Sequence, residues 1–459
     1  MPRWTWAVLL VTAPFLAILC TVLWQTPFPV TEAVALFEDV TRAPVSQFFF
    51  PETAYYRPLF HASLSTLWHY AGSLEAALAG VRLLHIIPVV TLLILFVVHV
   101  RPTTLLEAAA ATLAVAVLAG SRGFRDNLEI PLSYTIVGMP LALFAWVLAN
   151  REPRAWRSAL IVLLTLAAIG FKEQGLVLIP LVVTAWWMGA PGATRGTAAA
   201  LAVLAVVYVA ARVAVRESWA PFEQAIGLGF IELEPDQAEA RFGGFPYLVY
   251  AYTAAATIGN VLFSEPTRGI FRIVNDTVQG HPEIWEMIHL LSSAAVTALV
   301  VWWGVRSWRA DRTSLETRLF VVTIVVLLAS GALSFNYSRD RLGGMAVPFY
   351  ALSAFFAIRA AAGRALTARR PQFVLAAAGL ALLAAAWQSR AISTIEIARI
   401  FSARNSSEWL LLLPDRRVEF AERPVYLDIM QSMIAQGTAP GPARPTHYPR
   451  IVKRTLGLP

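Results

Sequence analysis

About eleven apolar runs recur along the chain, most of them close to the ~20 residues that a helix needs to cross a bilayer. They fall at roughly 6–24, 81–99, 105–120, 129–149, 157–171, 175–190, 197–214, 286–305, 317–335, 342–362 and 372–388. No single water-soluble core hides so many. Of 459 residues, 57% are hydrophobic and only 14% charged, whereas a soluble domain carries about 25% charged residues. A soluble enzyme and a disordered chain are both excluded. Cys20 is the sole cysteine, so no disulfide framework exists. The expectation is an all-α polytopic membrane protein. Its first run follows Arg3 and ends in Leu-Trp-Gln-Thr-Pro rather than at a small-residue cleavage site. It therefore reads as a retained helix.

Basic residues set the sidedness. Lysine occurs only at Lys172 and Lys453, so arginine supplies nearly all of the 37 basic residues. With the N-terminus in the cytoplasm, Arg101, Arg151, Arg154, Arg157, Arg195, Arg306, Arg309, Arg312, Arg364, Arg369 and Arg370 all fall inside, as the positive-inside rule asks. Residues 58–72 and 245–263 are apolar too, and either could span or lie in the interface. Counting 58–72 as a span would flip the arginine clusters outward, so both stay out of the count. The net charge of +8 thus speaks to membrane orientation, and no nucleic-acid partner is expected. The organisation that follows is a transmembrane domain over 1–388, with outer loops 25–80 and 215–285, and a small periplasmic or extracellular segment over 389–459. The location is the plasma (inner) membrane. The inner loops are too short for a nucleotide-binding domain, and no P-loop is present.

The side chains capable of chemistry cluster on the outer face. Glu38-Asp39 lie in the first outer loop; an adjacent acidic pair near a membrane suits a general base, because repulsion and desolvation raise one carboxylate. The plainer reading is a loop-solvating pair. Tyr55-Tyr56-Arg57-Pro58-Leu59 follow, and the proline should start a helix over 58–72. Arg57 there suits a lipid phosphate or a snorkelling anchor. Arg122, Arg125 and Asp126 crowd the next outer turn, where a guanidinium fork matches a phosphate and a local ion pair is the alternative. Lys172-Glu173-Gln174-Gly175 break an apolar stretch, and charges at such depth need partners or a polar cavity. A tight hairpin tip reaching water is the plain alternative. Asp340 and Arg341 stand at the outer entry of a late run, ahead of Gly343-Gly344 and Pro348. Together these clusters suggest one polar cavity near the outer leaflet that suits a phosphate-bearing lipid. No zinc-type spacing occurs. An acidic pair beside a phosphate suits a divalent cation without requiring one.

The order of these motifs resembles the GT-C superfamily of integral-membrane glycosyltransferases. The closest likeness is to protein O-mannosyltransferases and relatives that use polyprenyl-phosphate sugars. Phe37-Glu38-Asp39 is similar to their acidic pair, and Tyr56-Arg57-Pro58-Leu59 to the element opening their juxtamembrane helix. Arg122 to Asp126 looks like their second-loop element, and Lys172-Glu173-Gln174-Gly175 matches a Lys-Glu-Gln-Gly element closely. Asp340-Arg341 with Pro348 resembles a late basic element. The likeness runs in order over about 1–190 and again over 336–362. It implies a polyprenyl-phosphate-linked sugar donor, membrane lipids around it, and a protein, lipid or glycan acceptor on the outer face. It also implies inversion at the anomeric carbon. Glu38 or Asp39 would be the base. Arg57, Arg122, Arg125, Lys172 and Arg341 would hold the donor phosphate. Tyr56, Asp126, Glu173, Gln174 and Asp340 would line the site. A secondary transporter and a non-catalytic lipid binder are the alternatives from other classes. A transporter would carry a repeat of its spans, and neither the Lys-Glu break nor the Tyr-Arg-Pro element recurs in the second half.

Overall fold

A computed structural model gives the architecture. It describes residues 1–30, 57–128, 135–216, 247–263, 283–334, 340–367 and 369–421, with short pieces between 226 and 281, at 337–338, at 431–433 and at 435. The protein is built almost wholly from helices. In chain order they are α1 (Arg3–Gln25), α2 (Pro58–Tyr70), α3 (Leu74–Val100), α4 (Leu105–Ala119), α5 (Arg122–Arg125), α6 (Thr135–Ala149) and α7 (Ala155–Phe171). A 3₁₀ turn (Glu173–Val177) leads into α8 (Leu178–Trp187), and α9 (Arg195–Arg216) follows. Next come α10 (Tyr247–Leu262), α11 (Ile284–Ala310) and α12 (Leu315–Leu333). A second 3₁₀ turn (Asp340–Ala346) opens α13 (Val347–Leu366), and α14 (Arg370–Ala421) follows. Three short strands, β1 (Ile226–Leu228), β2 (Ile231–Leu233) and β3 (Tyr337–Ser338), form a small sheet in the order β2-β1-β3. The β1–β2 pairing is antiparallel and the β1–β3 pairing parallel.

Among the described residues, six helices are long and apolar enough to cross a membrane: Arg3–Gln25, Leu74–Val100, Ile284–Ala310, Leu315–Leu333, Leu342–Leu366 and Arg370–Trp409. Several such helices mark a multi-pass membrane protein. Each coincides with one of the apolar runs read from the sequence. Five shorter apolar helices, of 10–17 residues, coincide with the remaining runs. Many large apolar side chains on the long helices face outward, including Leu10, Val11, Leu291 and Leu382. In water that exposure would be a liability, and in hydrocarbon it is the favourable arrangement.

Helix α13 is the axis of the bundle. It is the most buried of the long helices and packs against α3, α4, α6, α10, α11, α12 and α14. Small residues on it, Ala351, Ser353, Ala354 and Ala357, are fully buried and let neighbouring helices approach closely. Hydroxyls tie the contacts. The Thr323 and Ser353 hydroxyls pair at 2.9 Å, and Thr297 and Tyr350 at 2.8 Å.

Hydrogen bonds fix which helix ends lie together. The Thr5 hydroxyl donates to the Pro102 carbonyl, so α1 and α4 start at the same end. Arg359, late in α13, meets Glu107 and Glu316 in the first turns of α4 and α12. The Arg318 guanidinium in α12 donates to Asn150 just past α6. The opposite end therefore carries the C-termini of α1, α4 and α12 and the start of α13. The sequence divides the chain near residue 388, but α14 runs through that point without a break for 52 residues.

Candidate functional site

The apolar run of α7 stops at Phe171. Lys172 takes an extended backbone (φ −160°, ψ 145°), and Glu173–Val177 winds the 3₁₀ turn back onto the last turn of α7. Gly175 makes this possible, because a Cβ there would collide with the backbone of Ala168 and Ile169. Nearby, Gly170 leaves room for Leu59, so the start of α2 docks on the end of α7. Pro58 at the first helical position holds that start, its missing N–H costing nothing there. Docking brings Arg57 to Glu173. The guanidinium donates through Nε to Oε2 at 3.1 Å and through Nη2 to Oε1 at 3.0 Å. Lys172 Nζ lies 3.8 Å from the same Oε1. Both partners of the fork are largely shielded, with side-chain exposures of 12% and 18%. Lys172 and Gln174 are buried. Among the described residues, the Gln174 Oε1 has no hydrogen-bond partner.

The second element is the turn of α5. Ser121 caps it, its hydroxyl accepting from the Phe124 amide at 3.4 Å. Arg125 forks onto Asp126 Oδ1 through Nε at 3.1 Å and Nη2 at 2.8 Å. Arg122 Nε lies 3.4 Å from the other carboxylate oxygen. Asp126 is thus shared by two arginines. Arg125 is buried, and its Nη1 has no hydrogen-bond partner among the described residues.

Glycines join this turn to the 3₁₀ segment Asp340–Ala346. A Cβ on Gly123 would meet Val347 at 2.9 Å and the Gly344 amide at 3.3 Å. A Cβ on Gly344 would strike Met139 and come within 2.7 Å of the Asn127 amide group. That amide group donates to the Gly123 carbonyl at 2.6 Å. The two 3₁₀ segments also touch each other, and α6 and α12 pack on both. Elements far apart in sequence therefore meet at the end of the bundle carrying the C-terminus of α4.

The structure brings together Arg57, Lys172, Glu173 and Gln174, and separately Arg122, Arg125 and Asp126, on two adjoining supports. Glu38, Asp39 and Tyr56 lie outside the described residues. Asp340 and Arg341 belong to the described backbone of the second 3₁₀ segment, which places them beside the α5 turn. Among the described side chains the site has four cations and two carboxylates, in a setting largely closed to water. Low local dielectric makes such donors strong toward an anion. The unmatched Arg125 N–H suits an anionic oxygen, and the unmatched Gln174 oxygen suits a hydroxyl. Both acids are held by arginine, and among the described residues no three His, Cys, Asp or Glu side chains gather as for a metal.

Sequence reading missed a second buried polar contact behind the α5 turn. Arg390 on α14 is 1% exposed. Its Nη1 donates to the Ser293 hydroxyl at 2.7 Å and the Ser292 hydroxyl at 3.2 Å, and the guanidinium covers the Trp387 ring at 3.6 Å. One turn on, the Thr394 hydroxyl donates to the Ala119 carbonyl. Farther along, Asn405 and Trp409 donate to the Pro27 and Phe28 carbonyls. The signal was present: Trp387, Arg390 and Thr394 share one helix face at i, i+3 and i+7. It fell across the expected end of a span and so was divided between two regions.

Comparison of the chain with family models, with curated proteins and with solved structures gives no match. The functional reading therefore rests on the residues themselves.

Proposed function

We propose that the protein is a GT-C-like glycosyltransferase that moves a sugar from a polyprenyl-phosphate donor to an acceptor hydroxyl at the outer face of the membrane. The observation that carries this reading is the meeting of the Arg57/Lys172–Gln174 cluster with the Arg122–Asp126 turn and the 340–346 segment. Three sequence-distant elements, all singled out by the motif order, share one end of the bundle. In this reading the five shorter apolar helices cross the membrane as well, giving about eleven spans. Their extra reach comes from adjoining turns, as where Glu173–Val177 extends α8. The N-terminus is cytoplasmic, and the site faces outward.

The chemistry follows from the charges. Glu38 or Asp39 takes the proton of the acceptor hydroxyl as its oxygen attacks the anomeric carbon. The bond from that carbon to the phosphate oxygen breaks, the configuration inverts, and polyprenyl phosphate leaves with the electron pair. Arg125, Lys172, Arg122 and Arg341 stabilise the phosphate as its charge grows. Arg57 orients Glu173 and so steadies Lys172 beside it. Gln174 offers its oxygen to a sugar hydroxyl.

The test is binding and turnover of radiolabelled polyprenyl-phosphate sugars by the purified full-length protein, beside the Glu38→Ala/Asp39→Ala variant. Transfer by the native protein, lost in the variant with donor binding kept, supports the reading. Failure of both to bind any donor in a broad panel overturns it.

A further inference from the structure

A separate cavity of about 480 Å³ opens at the other end of the bundle, between α11, α12 and α13. Its volume lies within the range of about 300–1,000 Å³ typical of small-molecule sites. Arg306, Asp311, Ser314, Glu316, Gly363 and Arg364 are among its lining residues, so two carboxylates face the cavity beside the two arginines. The acids are already engaged. Glu316 accepts from Arg359 at 2.9 Å and from the Trp303 ring N–H at 3.1 Å. Asp311 accepts from the Thr313 amide and hydroxyl, which hold its carboxyl below the usual range. The two arginines are not engaged in that way. Among the described residues neither Arg306 nor Arg364 makes an ion pair with a carboxylate. Arg364 instead rests over the Trp302 ring at 4.8 Å, which fixes the direction of its guanidinium.

Gly363 completes the shape. A Cβ built there meets nothing within 4 Å, so the helix face beside Arg364 is open space. The cavity thus combines two cations, hydroxyls and an aromatic seat with room for a group between them. It lies at the end of a membrane bundle whose neighbouring helices, including Leu291, Val301 and Leu366, present large apolar side chains outward. A basic pocket between helices at that height matches a lipid headgroup.

We propose that this cavity seats the phosphate of a phospholipid from the membrane leaflet at that end, with Arg306 and Arg364 on its oxygens and the acyl chains along the exposed face of α11. Scattered surface arginines would attract anionic lipid diffusely. A cavity holds one molecule at a defined place. The proposal does not depend on the sugar chemistry at the opposite end.

The experiment uses the full-length protein in vesicles of phosphatidylcholine and phosphatidylglycerol, released into detergent and weighed by native mass spectrometry. The native protein should retain one phospholipid. Arg306→Ala/Arg364→Ala should lower that retention about thirtyfold, at roughly 1 kcal/mol per arginine. Gly363→Phe, which fills the space and keeps both arginines, should abolish retention as well. Arg151→Ala/Arg154→Ala, which removes two exposed arginines outside the cavity at the same end, should leave it unchanged. Equal loss in that control would overturn the proposal in favour of diffuse surface charge. So would retention that survives Gly363→Phe, which also serves if the double variant fails to fold. Displacement of the lipid by millimolar inorganic phosphate would make free phosphate the ligand and overturn the lipid assignment.

Discussion

The two ends of the bundle use the same side chains to opposite effect. At one end Arg57–Glu173 and Arg125–Asp126 are shielded, with side-chain exposures of 18% or less. At the other, Arg359 divides itself between Glu107 and Glu316, with exposures of 21–37%. A shielded pair has lost its water and depends on its partner, so removing one member leaves a stranded charge. An exposed pair is backed by solvent and contributes little. The glycines that frame the two places differ too. Gly123, Gly175 and Gly344 at the site are closely packed, whereas Gly363 beside the cavity faces open space. The site's ion pairs are shielded and closely supported, whereas those of Arg359 are partly exposed.

The contrast can be broken in graded steps. The largest effect should come from Arg57→Ala or Glu173→Ala alone, each costing about 3–5 kcal/mol through the stranded partner. Thermal unfolding in detergent checks this. The joint Arg57→Met/Lys172→Met/Glu173→Leu variant, which removes the whole charge cluster, should recover much of that stability. Next, Arg125→Ala should lower sugar transfer about 10²–10³-fold, as expected for one lost donor to developing charge. Initial rates at saturating donor measure it, and unchanged rates would remove Arg125 from the site. Gly344→Ala should then cost about 1–3 kcal/mol by forcing Met139 and Asn127 aside. Its transfer rate should fall more than its stability suggests, because it separates the two supports. Smallest of all, Arg359→Ala should change stability by about 0–1 kcal/mol and leave transfer unaltered. A large loss there would erase the distinction between the ends.

Much of this was legible in the sequence, for identifiable reasons. Apolar runs declare themselves without tertiary context, and each expected run coincides with a helix. Lys172-Glu173 stood out because charge inside an apolar stretch is costly, and it marks the turn after α7. The partner of Glu173 was not legible. Arg57 lies 116 residues away, and the two meet through the docking of α2 on α7, where Leu59 fills the space beside Gly170. The Arg57 fork, assigned from sequence to a donor phosphate, is engaged with Glu173. Pressing Gly123 against Gly344 was equally hidden, because each glycine by itself reads as a loop residue. The length of α14 was missed because polar residues after 388 suggest departure from a membrane span. A helix continues through such residues when another element covers them, as α1 and its exit segment do here through Pro27 and Phe28.

That last helix has a mechanical consequence. At 1.5 Å per residue its 52 residues make a rod about 78 Å long, more than twice the hydrocarbon thickness of about 30 Å. Clasps at Arg390, Thr394, Asn405 and Trp409 hold it at successive heights. A tilt of about 5° about its first residue would move Thr394 by roughly 3 Å and Trp409 by roughly 5 Å, so a tilt strains all the clasps together. A displacement of its far end is therefore felt at Ala119, three residues before Arg122, where the chain enters the turn that carries Arg122 and Arg125.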